Sequence, residues 1–322
     1  MTTLITGTAG FIGFHLARTL LASGETVVGI DNFNDYYSVK LKRDRHTLLA
    51  AYPNYVGVEM DLADFDALRE VVETHRPDCV CNLAAQAGVR YSLDHPFVYQ
   101  KANLEGFLNI LEVCRHMAPQ PRLVYASSSS VYGGNTKLPF SESDRVDSPI
   151  SLYAATKKDN ELMAHAYSHL YGMQTIGLRF FTVYGPWGRP DMAMWLFTDA
   201  MLAGRPIKVF NKGDMQRDFT YVDDIIQGLR QAMSRDELGQ YEIFNLGNHR
   251  SENLMDMIGI LADTLGVEPQ MDLLPMQPGD VRATYADTER AHDKLGFEPA
   301  TPISVGIPRF IDWYRDYHGL GK

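Results

Sequence analysis

An α/β fold is what the sequence predicts: a doubly wound, mostly parallel sheet, with a smaller α/β lobe toward the C-terminus. Three observations carry this expectation. Short apolar runs that end in polar or turn residues alternate with segments of helical period through the first half of the chain, the pattern of successive β-α-β units. The chain opens on a strand, a glycine-rich turn and a helix. After about residue 182 the alternation gives way to loops rich in Gly, Pro and aromatic residues.

Residues 2–5 read as a short buried strand running into Gly7-Thr8-Ala9-Gly10-Phe11-Ile12-Gly13, with a helix over 11–22 and a second strand over 26–30 that ends at Asp31. Glycines let backbone approach a pyrophosphate, and a helix start offers N–H donors and the positive end of the dipole. Asp31 follows Gly13 by 18 positions, near the roughly 20 of a dinucleotide-binding β-α-β unit. Its carboxylate would accept from the adenosine ribose hydroxyls and repel a 2′-phosphate, so NAD is expected rather than NADP. Around this turn the expected cofactor contacts are Gly7, Gly10, Phe11, Ile12, Gly13, Asp31 and Asn32.

The alternation continues with strands over 55–59, 79–84, 122–126 and 174–179, and with helices over 64–75, 96–116 and from Tyr153 to residue 171. Sheets of this kind bind ligands at the carboxyl ends of their strands. Asp31, Asp61, Ala85-Gln86, residues 127–130 and Phe181-Thr182 all fall at such ends, which argues for one shared site. Asp61, Leu62, Leu83, Ala84, Ala85 and Gln86 therefore join the expected cofactor contacts. Further on come the loop Tyr184-Gly185-Pro186-Trp187-Gly188-Arg189-Pro190, a helix over 192–203, and short strands near 207–210 and 219–222. Helices follow near 223–234 and 253–265, then the loop Pro275-Met276-Gln277-Pro278-Gly279-Asp280. The expected division is a dinucleotide-binding part over 1–182, to which segments near 219–250 return, and a substrate lobe made mainly of 183–322.

At 322 residues the chain can bury a large core. Its 45% hydrophobic and 22% charged content is that of a soluble globular protein. The net charge of −10 argues against nucleic acid or an anionic membrane as partner. No apolar run is long enough to span a bilayer, and the N-terminus enters a strand pattern at once with no basic leader. Cys79 and Cys81 lie two apart in a strand-like run and Cys114 in a helix, which reads as core packing in a reducing compartment, with the cytoplasm expected. The run Lys40-Leu41-Lys42-Arg43 reads as a solvated helix face.

The chemistry is expected at Tyr153 and Lys157, whose four-residue spacing puts both on one helix face. A free tyrosine, with a pKa near ~10, is a poor base at neutral pH. An ammonium one turn away would stabilise the phenolate and let it take a proton from a substrate hydroxyl. Upstream, Ser127-Ser128-Ser129-Ser130-Val131-Tyr132-Gly133 follows a strand and offers hydroxyls for the same oxygen. His165 and His169, with Glu161 one turn before, have a spacing that can bind metal. No partner set is evident elsewhere, and the expectation is a polar helix face or subunit interface with no metal.

Together these three motifs, in this order and spacing, resemble the Ser–Tyr–Lys set of the extended short-chain dehydrogenase/reductase family with its Rossmann domain, and within it the nucleotide-sugar epimerases. The resemblance covers essentially the whole chain. It is carried further by Asp31-Asn32-Phe33-Asn34-Asp35-Tyr36-Tyr37, Ala87-Gly88-Val89-Arg90-Tyr91-Ser92, Arg179-Phe180-Phe181-Thr182, the loop through Pro190, and Arg217-Asp218-Phe219-Thr220-Tyr221. The resemblance implies a tightly held NAD and C4 epimerisation through a 4-keto sugar. Ser128, Tyr153 and Lys157 are then the catalytic set, Phe210 packs on uracil, Arg217 meets the diphosphate, and Asp280 meets the uridine ribose. UDP-galactose epimerases have Arg where Gln277 stands, so Gln277 or Arg282 is left for the diphosphate. They have Asn where Thr182 stands, and Thr182 resembles the branch whose substrates are UDP-glucuronate and UDP-galacturonate. Dehydratases put Asp and Glu at the positions of Ser129 and Ser130, and decarboxylases commonly put Glu at Ser130, so hydroxyls there favour epimerisation. Arg189, Thr182, Ser128, Ser129, Ser130 and Arg90 are the candidates for holding the sugar carboxylate. A homodimer through the Tyr153 helix and the helix over 96–116 is implied as well. The other readings are a UDP-glucose/galactose 4-epimerase, a UDP-glucuronate decarboxylase, and a non-catalytic NAD-binding sensor. A sensor tends to lose the Tyr or Lys, and both are present here.

Overall fold

The computed structural model describes residues 1–277 and 281–321. In chain order the strands are β1 (Thr2–Thr6), β2 (Thr26–Asp31), β3 (Tyr55–Glu59), β4 (Cys79–Asn82), β5 (Arg122–Ser128), β6 (Thr175–Phe180), β7 (Thr182–Tyr184), β8 (Ile207–Val209), β9 (Gln216–Arg217), β10 (Phe219–Tyr221), β11 (Tyr241–Leu246), β12 (Glu252–Asn253) and β13 (Met271–Leu273). The helices are α1 (Phe11–Ala22), α2 (Val39–Ala50), α3 (Phe65–His75), α4 (Tyr91–Asp94), α5 (Pro96–Tyr99), α6 (Gly106–His116), α7 (Leu152–Tyr171), α8 (Ala193–Leu202), α9 (Val222–Ser234), α10 (Leu254–Leu265), α11 (Glu289–Leu295) and α12 (Ile303–Tyr317).

Seven parallel strands form the central sheet in the order β11-β6-β5-β4-β1-β2-β3. The chain winds outward from β1 in both directions, so the order reverses between β1 and β4, where a doubly wound sheet opens its ligand crevice. Both faces are covered. Leu4 of β1 packs with α3 and α6, through Leu68, Val72, Phe107 and Ile110. Its neighbour Ile5 packs with α1 and the helices of the later segments. This is the two-residue side-chain period of a strand buried on both sides. Small pairs tie the later segments together: β7 with β10, β8 with β13, and β9 with β12.

Three differences from the sequence reading have physical causes. β11 was not expected as a strand, because Glu242 and Asn245 interrupt its apolar run. Both are satisfied from outside the sheet. Glu242 takes Arg290 and Lys294, and Asn245 donates to the Phe140 and Asp287 carbonyls and accepts from Tyr132. The helix expected over 96–116 is broken into α5, a π-helical turn (Gln100–Glu105) and α6. Such wide turns occur where a side chain must be re-aimed, here Asn103. The last two helices were not expected. α12 buries Ile303, Ile307, Phe310, Ile311 and Tyr314 at helical spacing in the core shared with α10.

Candidate active site

A cleft of about 430 Å³ runs along the carboxyl ends of the strands, within the range of small-molecule sites. The thirteen residues expected around the dinucleotide at the strand ends and the glycine turn, Gly7, Gly10, Phe11, Ile12, Gly13, Asp31, Asn32, Asp61, Leu62, Leu83, Ala84, Ala85 and Gln86, all line it.

The glycine turn is built so that only glycine fits. Gly7 has φ +77°, and a Cβ there would stand 2.9 Å from the Ala84 nitrogen. A Cβ on Gly13 would stand 2.1 Å from the Gly7 carbonyl oxygen. The helix that follows has no capping side chain and no acidic residue in its first turn. Its N–H donors and dipole therefore meet the cleft unopposed, which suits a phosphate. Asp31 is more engaged than the sequence implied: its Oδ2 accepts from the Ala9 amide and its Oδ1 from the Phe33 amide, both at 2.9 Å. Each oxygen keeps a second lone pair for a ligand hydroxyl. These features fit a dinucleotide.

Tyr153 sits near the start of α7, which Ser151 caps through its hydroxyl to the Ala154 amide at 3.1 Å. The phase of α7 is set two turns later. Buried Glu161 takes Arg179 of β6 in a two-pronged pair at 2.8 and 2.9 Å and the Ser127 hydroxyl at 2.6 Å. Tyr153, Lys157 and Glu161, each four apart, thus face the sheet together. Glu161 is therefore not part of a polar surface or a metal set, and His165 rests edge-on against Tyr241 at 4.9 Å. Among the described residues no three His, Cys, Asp or Glu side chains are grouped to hold a metal ion.

Ser128 accepts from the Ser130 amide at 3.2 Å and the Ser130 hydroxyl at 2.9 Å. Its hydroxyl also acts on the nearby Tyr153 phenol. Burial raises the phenol pKa, while the Ser128 hydroxyl and the charge of Arg189 act to lower it. Lys157 stands one turn further along the same helix face. Its ammonium donates to the Ala126 carbonyl at 2.8 Å, and burial brings its own pKa down to about 8.

Asn103 had no signal in the sequence, lying inside an apparently regular helix. From the π-helical turn its side chain bonds both the amide and the carbonyl of Gln86, and the Thr156 hydroxyl of α7 at 3.0 Å. It joins the segment that follows β4 to α7. Arg45 was also missed. It is fully buried in α2 and donates to the Ala9, Trp187 and Gly188 carbonyls and the Tyr37 hydroxyl. It thereby fastens the glycine turn to the loop that carries Arg189.

Ser129, Ser130, Thr182, Arg189 and Arg217 line the same cleft. Asp191 already holds one edge of the Arg189 guanidinium, through Nε and Nη2. Arg90 and Phe210 lie outside the cleft lining and meet each other, with the guanidinium 5.1 Å from the ring centre. Arg282 turns outward to an exposed ion pair with Asp214 at 2.9 Å, which removes its side chain from the cleft in this conformation. Its carbonyl accepts from Arg217 at 3.2 Å. Asp280 lies outside the described residues.

A family model described as the NAD dependent epimerase/dehydratase family matches residues 3–247. UDP-glucuronate 4-epimerase 4 of Arabidopsis thaliana is 46% identical over 337 residues, covering 100% of this chain and 77% of the relative. The crystal structure of UDP-glucuronic acid 4-epimerase from Bacillus cereus, in complex with UDP-glucuronic acid and NAD, superposes with a TM-score of 0.93 at 33% identity over 98% of this chain and 100% of that one. A UDP-glucose 4-epimerase from Thermotoga maritima, with UDP-glucose, gives a TM-score of 0.88 at 30% identity over 99% and 100%.

Proposed function

We propose, from the premise that the chain belongs to the NAD dependent epimerase/dehydratase family, that it is a UDP-glucuronate 4-epimerase interconverting UDP-glucuronate and UDP-galacturonate with tightly bound NAD. The observation that carries this reading is the chemistry beside Tyr153. Ser128, Ser129, Ser130 and Thr182 line the cleft there, and among its described lining residues the only carboxylates are Asp31 and Asp61 at the other edge of the sheet. Elimination of water from C6 would need a second acid–base group at C5 and C6. Inversion at C4 needs one proton-transfer group, and the phenol supplies it. The full-length similarity to UDP-glucuronate 4-epimerases supports the same choice.

Tyr153 as phenolate takes the proton from O4, with Ser128 sharing the hydrogen bond. When bound, NAD supplies the acceptor and donor for the C4 hydride. The glycine turn, Asp31 and the ends of β3 and β4 hold the dinucleotide; Tyr153 and Lys157 face its reactive end. After the 4-keto sugar turns about its diphosphate link, Tyr153 returns the proton to O4. The keto intermediate is a β-keto acid, so the site must hold its carboxylate in an orientation that disfavours loss of CO₂. In this reading Thr182, the three serines and Arg189, which line the cleft, take that role. Arg217 serves the diphosphate, with Arg282 beside it through its backbone. In this reading Phe210, against which Arg90 rests, packs on uracil, and Asp280 takes the ribose. Residues 1–182, with 219–250 returning, form the cofactor part, and 183–322 mainly the substrate part.

A homodimer is part of this reading. Leu93, Phe97, Leu108, Leu162 and Leu170 are exposed large apolar side chains on α4, α5, α6 and α7, Phe97 being 82% exposed, and a second copy would cover them. No described helix is long and apolar enough to cross a membrane, and we place the enzyme in the cytoplasm. The test is incubation with UDP-glucuronate without added cofactor, read by NMR. UDP-galacturonate is expected. A UDP-pentose as main product makes it a decarboxylase, and conversion of UDP-glucose alone makes it a neutral-sugar epimerase. Light scattering at micromolar concentration gives twice the chain mass if the dimer is right.

A further inference from the structure

Arg45 of α2 is fully buried, and among the described residues its acceptors are all neutral. They are the Ala9 and Trp187 carbonyls, both at 2.7 Å, the Gly188 carbonyl at 3.1 Å and the Tyr37 hydroxyl at 2.8 Å. By contrast, Arg179 is paired with Glu161 and Arg189 with Asp191. A buried charge with no ion partner is costly, and carbonyl dipoles offset only part of that cost. Lys42, also on α2, is a second buried cation, 5% exposed, whose ammonium donates to the Asn34 backbone carbonyl and side-chain oxygen, both at 2.6 Å. Burial brings its pKa down to about 8, so it is still charged at neutral pH. Asp31 offsets one of these two charges, and Asp35, the other carboxylate that acts on Lys42, is exposed.

The place of Arg45 gives this excess charge a use. Ala9 lies inside the glycine turn, between Gly7 and Gly10, which both line the cleft. Arg45 holds the turn at the Ala9 carbonyl, and Asp31 holds it at the Ala9 amide. The turn whose N–H donors and helix dipole suit a phosphate is thus backed by more buried positive than negative charge. The diphosphate of a dinucleotide is the anion that balances it. Arg45 is not itself part of the cleft lining, so it acts through the turn. We propose that Arg45 is a positioning residue for the dinucleotide's diphosphate, fixing the glycine turn through Ala9 and balancing its charge against the bound phosphates instead of a carboxylate of the chain.

Competition on the NAD-loaded full chain tests this without turnover. Labelled NAD is displaced by ADP-ribose, which carries the diphosphate, or by adenosine, which carries no phosphate. The ratio of the two half-displacing concentrations reports the phosphate contribution, and any change in affinity for NAD cancels from it. Arg45→Gln keeps amide donors for the carbonyls and removes the charge. The ratio should then shift about tenfold against ADP-ribose, the scale of a unit charge acting through a protein interior. Arg45→Met is read the same way should the glutamine variant fail to fold. Arg45→Lys keeps the charge with fewer donors and should restore most of the ratio. An unchanged ratio in the neutral variant overturns the proposal and leaves Arg45 a brace between the turn and the Arg189 loop. An equal shift in the neutral and lysine variants overturns it as well, because the shape of the side chain and not its charge then sets the affinity.

Discussion

Glu161→Ala should destabilise the protein by breaking the pair that sets the phase of α7. Glu161 and Arg179 are 1% and 3% exposed and share two hydrogen bonds. Removing the acid leaves a buried guanidinium with only the Tyr132 hydroxyl at 3.0 Å and strands the Ser127 hydroxyl. Breaking a buried pair from one side costs about 3–5 kcal/mol. For a chain of 322 residues the unfolding entropy is about 0.7 kcal/mol/K, so Tm should fall by about 4–7 °C. Differential scanning calorimetry at matched NAD concentration measures it. Turnover should fall too, because Tyr153 and Lys157 ride on the same face of α7. Glu161→Leu combined with Arg179→Met removes both charges and should recover most of the lost stability, since an apolar replacement of a buried pair is often neutral. The pH dependence has a definite sign. Burial acts to raise the Glu161 pKa, but Arg179 and Ser127 hold it below the usual carboxylate value. Its stabilisation is therefore complete above the unfolded pKa of about 4.3 and is lost as pH falls through the lower folded value. A Glu161→Ala protein that melts with wild type, or a double variant that melts as low as the single one, would refute the reasoning.

Three further outcomes follow from the site. Tyr153→Phe should bind UDP-glucuronate while turnover falls by about 10² or more, the scale of a lost acid–base group; near-normal turnover would place the proton acceptor elsewhere. Nucleotide released by denaturing the purified protein should be NAD, and Asp31→Ala should narrow the preference for NAD over NADP in stripped enzyme; equal use of NADP by the unsubstituted chain would remove the reading of Asp31. Arg189→Ala removes one contact to the sugar carboxylate and uncovers Asp191, which then repels it. KM for UDP-glucuronate should rise roughly 10–100-fold, that for UDP-glucose far less, and more keto intermediate should lose CO₂ to give a UDP-4-keto-pentose. Equal loss on both sugars would show that Arg189 serves the loop alone.

Much of this protein could be read locally. The glycine turn, Asp31, and the Tyr153–Lys157 spacing are short-range patterns, in which each residue's role follows from the helix or strand it belongs to. The doubly wound sheet followed from alternation, because strands buried on both faces leave long apolar runs that survive in a single sequence. What required the folded chain was every pairing between distant polar residues. Glu242 and Asn245 hid β11 because their partners come from other segments. Asn103 looked like an ordinary helix residue until the π-helical turn aimed it at Gln86. Lys157 lies one turn from Tyr153, and its ammonium donates to the Ala126 carbonyl because β5 passes beneath the helix at that point. Arg189 read as unengaged, although Asp191, which takes one edge of its guanidinium, stands two residues away. Periodicity reports which face a residue occupies. The partner a charged group finds on that face depends on which strand ends and loops the tertiary fold brings there.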